Sequence, residues 1–194
     1  FQGTSEIGPR ALGNRSLLFN PLNPYAKNIM NNIKQREHYR PFAGSIMLEH
    51  ADTWFDMCGL KDSPWMTYAI PAKQLAKETI PSIIHVDGSC RIQTVTKEQN
   101  EHYYNLIESF HKKMLEAEQE EGVLDGHGCP IVFNTSFNLK GEAIVETLED
   151  ALDTCKSSAI DWLYVPTWED DELDLPEEWV PSAKPVEISA VAHD

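Results

Sequence analysis

Short apolar runs of strand length alternate along this chain with longer segments in which apolar residues recur at helical spacing. Residues 43–48 and 130–134 are apolar runs too short for a helix, which predicts two buried strands. Residues 97–121 carry an apolar stripe with a period of about 3.6, which predicts a long amphipathic helix. A further helix is expected after Thr147, and a last strand over 160–165. This interleaving predicts an α/β fold, with a twisted mixed β-sheet and flanking helices.

Two local signals add detail to this outline. Residues 23–24, Asn-Pro, are typical of a helix start, and the helix should end near Arg36. Residues 87–88, Asp-Gly, predict a tight turn that joins strands over 83–86 and 90–96.

The two ends of the chain predict its domain organisation. Residues 1–167 have the length and composition of one folded domain, although 50–78 show no clear periodicity. Residues 168–194 are acidic and interrupted by proline, which favours a solvated tail over a contact with a partner. The sequence opens at Phe1 directly into a dense motif, so we expect a fragment of a longer protein.

Composition excludes several classes of protein. No apolar run approaches the ~18 residues that cross a bilayer, and the start lacks the features of a signal peptide. The four cysteines are scattered, which predicts reduced thiols in a cytoplasmic protein and no structural zinc site. A net charge of −15 argues against general binding to nucleic acid or to anionic membranes.

Positive charge is concentrated at the start of this acidic chain. Residues 1–50 hold six Lys or Arg against three acids, whereas the whole chain has 16 against 31. Such a concentration predicts a specific anion site.

Three of these cations occur close together. Lys34 and Arg36 are two positions apart, so on a helix they would not share a face, and both can reach one ligand only where the chain turns or extends. Taken alone, Lys34 and Arg36 are better explained as a solvated helix end than as a ligand site. Arg40 precedes Pro41, which holds it extended, and we expect its neighbours Tyr39 and Phe42 to bury its stem. A buried arginine needs either a carboxylate, for which Glu37 is available, or a ligand phosphate.

Other segments carry weaker signals. Arg10 lies between two glycines, in a loop that lacks the spacing of a Walker motif. Residues 134–138 place polar side chains after a strand, where ligands often bind in α/β proteins, although a capped turn explains them equally well. Lys140 and Glu142 follow within reach, and Glu142 is a candidate for a metal or a ribose hydroxyl. His85, beside a turn, is interpreted as structural in preference to catalytic.

Four ordered blocks together resemble the C-terminal domain of the O-carbamoyltransferases, the family that modifies nodulation factors and aminoglycoside or cephalosporin-type antibiotics. These blocks are QGTSEIGPRALGNRSLL (2–18), IKQREHYRPFAGSIM (33–47), IPSIIHVDGSCRIQTV (80–95) and VFNTSFNLKGEAIVETLEDAL (132–152). The resemblance implies a fold like that of the threonylcarbamoyl-AMP synthases, called YrdC-like. The Lys-x-Arg and Ser-x-Asn patterns of those proteins match Lys34-Gln35-Arg36 and Ser136-Phe137-Asn138.

The same resemblance implies an activity and a site. The domain would make carbamoyl-adenylate from carbamoyl phosphate and ATP, with Mg²⁺ carried by the phosphates. A separate N-terminal domain of the actin-like ATPase class, which holds iron, would transfer the carbamoyl group to a hydroxyl. The implied catalytic residues are Lys34, Arg40 and Arg91. The implied binding residues are Arg10, Lys34, Arg36, Arg40, Arg91, Ser136, Asn138 and Lys140, with no metal ligands in this chain.

Some positions depart from the pattern of the family. Lys140 stands where the family commonly has Arg, and Thr4 replaces a frequent Arg. Two alternatives stay open, of which the departure at Lys140 favours the first and the acidic charge of the chain disfavours the second. One is a non-catalytic scaffold for the N-terminal domain, and the other is an RNA-binding YrdC-like module.

Overall fold

A computed structural model describes residues 1–120 and 127–166, together with the backbone of a short strand at Val186–Glu187. The helices are α1 (Ala26–Ile33), α2 (Ala51–Trp54), α3 (Gln74–Thr79), α4 (Glu101–Glu120) and α5 (Leu148–Lys156). The strands are β1 (Ser16–Phe19), β2 (Ala43–Met47), β3 (Ala69–Pro71), β4 (Ser89–Val95), β5 (Ile131–Ser136), β6 (Trp162–Leu163) and β7 (Val186–Glu187). Apart from β7, the tail that the sequence predicts over 168–194 lies outside the described residues.

Five of the strands form one mixed sheet in the order β1-β5-β2-β4-β3. β2 and β4 run parallel, whereas β5 is antiparallel to both β1 and β2, and β3 is antiparallel to β4. The prediction of an α/β fold with a mixed sheet and flanking helices is therefore confirmed, and the YrdC-like relationship stays a prediction.

The two faces of the sheet are covered differently. The larger apolar cluster contains Ile46, Ile92 and Phe133 from one face, together with side chains of α1, α3 and α5. On the opposite face, α4 packs Tyr103 and Ile107 in a smaller cluster whose sheet members are Met47, Val95 and Val132. This second face becomes polar beyond the N-terminal end of α4, and the candidate site lies there.

The structure confirms some of the helix and strand boundaries that the sequence predicts and contradicts others. A capping box between Thr147 and Asp150 starts α5, as expected. The long helix begins at Glu101, because the Asn100 side chain accepts a hydrogen bond from the backbone nitrogen of Tyr103 at 3.0 Å and so caps it.

The predicted strand over 83–86 is wrong. Residues 81–83 form a short 3₁₀ helix, and β4 instead pairs with β3, which lies in the region that the sequence left unresolved. His85 secures this segment through a hydrogen bond between its Nε2 and the Phe42 carbonyl oxygen at 3.1 Å, which supports its structural interpretation.

The last strand, predicted over 160–165, is shorter in the structure and consists of β6 alone. β6 pairs with β7 in a separate two-stranded sheet. Within the described residues, no helix has the length and apolar character needed to cross a membrane.

Candidate functional site

Two adjoining cavities, of about 390 and 200 Å³, open at the edge of the sheet where β2 and β4 begin and β5 ends. Arg36, Arg40 and Ser136 border both of them. Together the cavities are lined by all eight side chains that the sequence predicts for the site: Arg10, Lys34, Arg36, Arg40, Arg91, Ser136, Asn138 and Lys140. The structure thus brings the predicted residues together, and the ligand that they bind stays a prediction.

A turn at the end of α1 directs Lys34 and Arg36 to the same place. Gln35 has a φ of 52°, in the left-handed region, and the backbone nitrogen of Arg36 donates to the Asn31 carbonyl oxygen at 3.0 Å. The Gln35 nitrogen donates to the Asn32 oxygen, which completes a Schellman turn. The sequence required such a turn if both cations were to reach one ligand.

Lys34 is buried and already has partners. Its Nζ donates to the Asn138 carbonyl oxygen at 2.8 Å and to Asn138 Oδ1 at 2.9 Å, and it also contacts the carbonyl and hydroxyl oxygens of Ser136. Burial, and then the charge of Arg36, lowers the pKa of Lys34 to about 7. Lys34 therefore fastens the loop after β5 to the end of α1, and direct contact with a ligand stays a prediction.

Arg36 has a free donor within the site. Its guanidinium stacks over the Phe42 ring, 4.3 Å from the centroid, and its Nε donates to Asn31 Oδ1 at 2.8 Å. Its Nη2 is buried and has no hydrogen-bond partner. Burial, and then the charge of Arg40, lowers its pKa to about 10. Arg36 is therefore held by Phe42 and Asn31, and its Nη2 is an unused donor.

Arg91 presents a second free donor. It lies on β4 beside the larger cavity, and its buried Nε lacks a hydrogen-bond partner. Burial, and then the charge of Arg10, lowers the pKa of Arg91. Arg10 itself donates only to the carbonyl oxygen of Pro9, at 3.2 Å, among the described contacts. Like charges gathered with unused donors favour an anion in this cavity.

Arg40 differs from the expectation that aromatic neighbours bury its stem. Its side chain is 51% exposed and forms an ion pair with Glu37 at 2.9 Å. Tyr39 is exposed, and Phe42 packs against Arg36 instead. Lys140 approaches the other oxygen of Glu37 at 3.6 Å. Glu37 is therefore a built-in counter-ion for the two exposed cations of the site.

The loop after β5 is held mainly by its own hydrogen bonds. Ser136 Oγ donates to Asn138 Oδ1 at 2.6 Å, and Asn138 Nδ2 donates to the Glu142 carbonyl oxygen at 2.8 Å. The Glu142 carboxylate accepts from the backbone nitrogen of Leu139 at 3.0 Å. This engagement shows a structural role for Glu142. Across the described ranges, no group of three or more His, Cys, Asp or Glu side chains is arranged to hold a metal ion.

Arg15 shows what a purely structural arginine looks like in this protein. It is 3% exposed, stacks on Phe1, and makes five hydrogen bonds to the carbonyl oxygens of Gln2, Gly3, Asn14 and Glu146. Its donors are fully used, in contrast to those of Arg36 and Arg91.

Two asparagines at the site were not among the eight binding residues that the sequence predicts. Asn31 is buried on α1, where its amide donates to the His38 carbonyl oxygen at 3.2 Å and so supports the loop that carries Arg40. Asn134 is buried on β5 and lines the larger cavity. Asn134 belongs to the polar run 134–138 that follows a strand, a signal that a capped turn explained equally well. For Asn31 a buried amide in a helix was the only available signal, and the sequence does not state which residues are buried.

Comparison with known proteins gives a consistent result. A family model described as carbamoyltransferase C-terminus matches residues 1–169. The nodulation protein NolNO of Sinorhizobium fredii is 38% identical over 166 residues, which span 84% of this chain and 22% of that protein. The 3'-hydroxymethylcephem-O-carbamoyltransferase of Amycolatopsis lactamdurans is 36% identical over 168 residues, which span 86% of this chain and 29% of that protein.

Proposed function

This chain belongs to the carbamoyltransferase C-terminal family, and from that premise we propose that its two cavities bind carbamoyl phosphate and ATP and form carbamoyl-adenylate. The carbamoyl group would then pass to the hydroxyl of a small molecule. The observation that carries this proposal is the pair of buried, unpartnered guanidinium nitrogens, on Arg36 and Arg91, beside the larger cavity.

A buried donor without a partner costs about 1–3 kcal/mol, and more when it belongs to a charged group. This cost is recovered when an anion accepts from it. Phosphate oxygens suit the planar fork of arginine, which can donate two parallel hydrogen bonds. The larger cavity, at about 390 Å³, has the size of a small-molecule site.

The proposed reaction has two steps. Water releases the phosphoryl group of carbamoyl phosphate, which leaves carbamate, inorganic phosphate and a proton. A carbamate oxygen then attacks the α-phosphorus of ATP, and the bond from that phosphorus to the bridging oxygen breaks, so pyrophosphate leaves. Fixed cations favour both steps, because they offset the repulsion between two anionic substrates and stabilise charge on the leaving groups.

The roles of individual residues follow from their positions. Arg10, Arg36 and Arg91 would hold phosphate and carbamoyl oxygens in the larger cavity. Arg40 and Lys140 would exchange Glu37 for nucleotide phosphates at the smaller cavity. Lys34 would keep Ser136 and Asn138 in place. The cationic donor set fits ATP whose Mg²⁺ is carried mainly by phosphate oxygens, where the metal would neutralise charge.

The transfer step would involve more than this chain. The chain spans 22–29% of the length of the curated relatives that it matches. We assign transfer to the acceptor hydroxyl to a further N-terminal, iron-holding domain of the actin-like ATPase class. Free cysteines and the use of ATP fit a reaction in the cytoplasm.

The test is pyrophosphate release by the intact protein with ATP, Mg²⁺ and carbamoyl phosphate. We expect release to require all three and to be lost in Arg91→Met. Lys97→Met removes an exposed cation that pairs with Glu101 away from the cavities, and it should have no effect. A folded protein that binds neither substrate would refute the proposal and favour the scaffold. RNA binding that weakens steeply with salt would favour the nucleic-acid module.

A further inference from the structure

One row of side chains across the sheet forms the floor of the larger cavity. Arg91 and Asn134 lie opposite Ala43 in the pairing of β4, β2 and β5. All three line the cavity, and the small alanine leaves space between the two longer side chains. One end of this floor therefore offers a cation and the other offers an amide.

The orientation of the Asn134 amide is fixed by its surroundings. Its Nδ2 lies 3.2 Å from the carbonyl oxygen of Ala11, which can only accept a hydrogen bond, so the nitrogen must face that oxygen. Gln93 is fixed in the same way, because its Nε2 donates to the Leu12 carbonyl oxygen at 2.9 Å. Ser45 Oγ donates to Gln93 Oε1 at 2.8 Å and accepts from Asn134 Nδ2 at 2.9 Å.

These contacts leave Asn134 Oδ1 without a donor. The residue is 1% exposed, and Oδ1 is buried with no hydrogen-bond partner. A rotation of the amide cannot satisfy it, because the nitrogen would then lose Ala11. Asn134 Oδ1 is therefore an unused acceptor on a residue that lines the larger cavity, where a ligand with an N–H group could donate to it.

We propose that Asn134 Oδ1 accepts a hydrogen bond from the amide nitrogen of the carbamoyl group and so selects carbamoyl over other acyl phosphates. This inference rests on the proposed function. A carbamoyl phosphate has N–H donors at one end and oxygen acceptors at the other, which matches an amide oxygen and an arginine on the same floor. Acetyl phosphate has a similar size, but it presents a methyl group that leaves Oδ1 unpaired.

The experiment compares the affinities of the intact protein for carbamoyl phosphate, acetyl phosphate and inorganic phosphate by isothermal titration. We expect carbamoyl phosphate to bind at least about tenfold more tightly than acetyl phosphate, because a site with a buried, unpaired acceptor rejects a ligand that lacks the donor. Acetyl phosphate and inorganic phosphate should bind similarly, through the arginines alone.

Two variants give the matched comparison. Asn134→Ala should reduce affinity for carbamoyl phosphate to that for acetyl phosphate and leave the latter unchanged. Ser45→Ala removes a neighbour of the same amide but keeps its bond to Ala11, so it should preserve the preference. Thermal unfolding of each variant checks folding, and the unmodified protein decides the matter if a variant does not fold.

The outcomes separate the two proposals. Equal affinity for carbamoyl and acetyl phosphate in the unmodified protein would overturn the role of Asn134 and leave the proposed function standing. Retained preference in a folded Asn134→Ala protein would overturn it as well. An absence of binding by either acyl phosphate would overturn both.

Discussion

Replacement of Arg36 by methionine should separate binding from stability. The substitution removes the cation between the two cavities but keeps an unbranched apolar stem over Phe42. In the ligand-free protein it loses the hydrogen bond from Nε to Asn31, whose Oδ1 is 2.8 Å away. A hydrogen bond from a charged donor contributes about 1.5–3 kcal/mol. The stacking energy is largely retained, because methionine sulphur also packs well on aromatic rings.

The same substitution also removes the free-energy cost of keeping a charged group partly buried beside Arg40. Burial, and then the charge of Arg40, lowers the pKa of Arg36 to about 10 from its ordinary 12.5, which corresponds to about 3 kcal/mol against the charged form. Partial exposure allows solvent to screen this cost, and we retain about half of it. Gain and loss then nearly cancel, so the free energy of unfolding should change by less than about 1.5 kcal/mol.

The assay pairs denaturant unfolding with titration of pyrophosphate, and Arg15→Met is the control. Arg15→Met leaves the carbonyl oxygens of Gln2, Gly3 and Glu146 without a donor, so we expect a loss of at least about 3 kcal/mol. Arg36→Met should weaken pyrophosphate binding by about tenfold to a hundredfold. Equal destabilisation by the two substitutions, or unchanged binding in Arg36→Met, would refute the reasoning.

Three further predictions concern the backbone and the buried lysine. Gln35→Gly should stabilise the protein by about 0.5–1 kcal/mol in thermal unfolding, because glycine adopts the φ of 52° without strain, whereas Gln35→Ala should bring no gain. Gly13→Ala should destabilise it by more than about 2 kcal/mol, since an added Cβ would lie 2.4 Å from the Tyr103 ring, and Gly3→Ala, with open space around it, should cost less. Because the folded protein lowers the pKa of Lys34 to about 7, the unfolded chain holds that proton more tightly, and the free energy of unfolding should rise from pH 7 to pH 9. Denaturant titrations of Lys34→Met should show a flatter rise, and an identical slope would contradict the assignment.

Much of the fold could be predicted because it depends on local patterns. The stripe on α4 and the capping box at Thr147 involve residues within a few positions of one another. β3 was not recognised, because three residues are too few to establish a period. Asp87-Gly88 does form a turn, but the partner of β4 is chosen by packing along the sheet edge, which no local pattern encodes.

The sequence could predict which residues lie together at the candidate site, but not which of them have free donors and which are engaged in structural contacts. Cations near glycine and proline indicated an anion site, and the structure gathers the six predicted Lys and Arg side chains around the two cavities. Lys34 and Asn134, however, have backbone carbonyl oxygens more than a hundred residues away among their partners. Every residue has a backbone carbonyl oxygen, whatever its side chain, so the sequence does not show which carbonyl oxygens accept a hydrogen bond from a given cation. It therefore cannot distinguish Arg91, which has an unused donor, from Arg15, whose donors are all engaged.

The in-register row of Arg91, Ala43 and Asn134 fixes the spacing of the backbone positions along the cavity floor. Two inter-strand steps separate the outer members, so their α-carbons lie about 10 Å apart. Backbone hydrogen bonds of the sheet set that distance, and side-chain rotation cannot change it. Substitutions on this floor can alter which chemical group meets the ligand at each end, but they leave the spacing of the α-carbons unchanged. Changes of acyl group should therefore be far easier to engineer here than changes of ligand length.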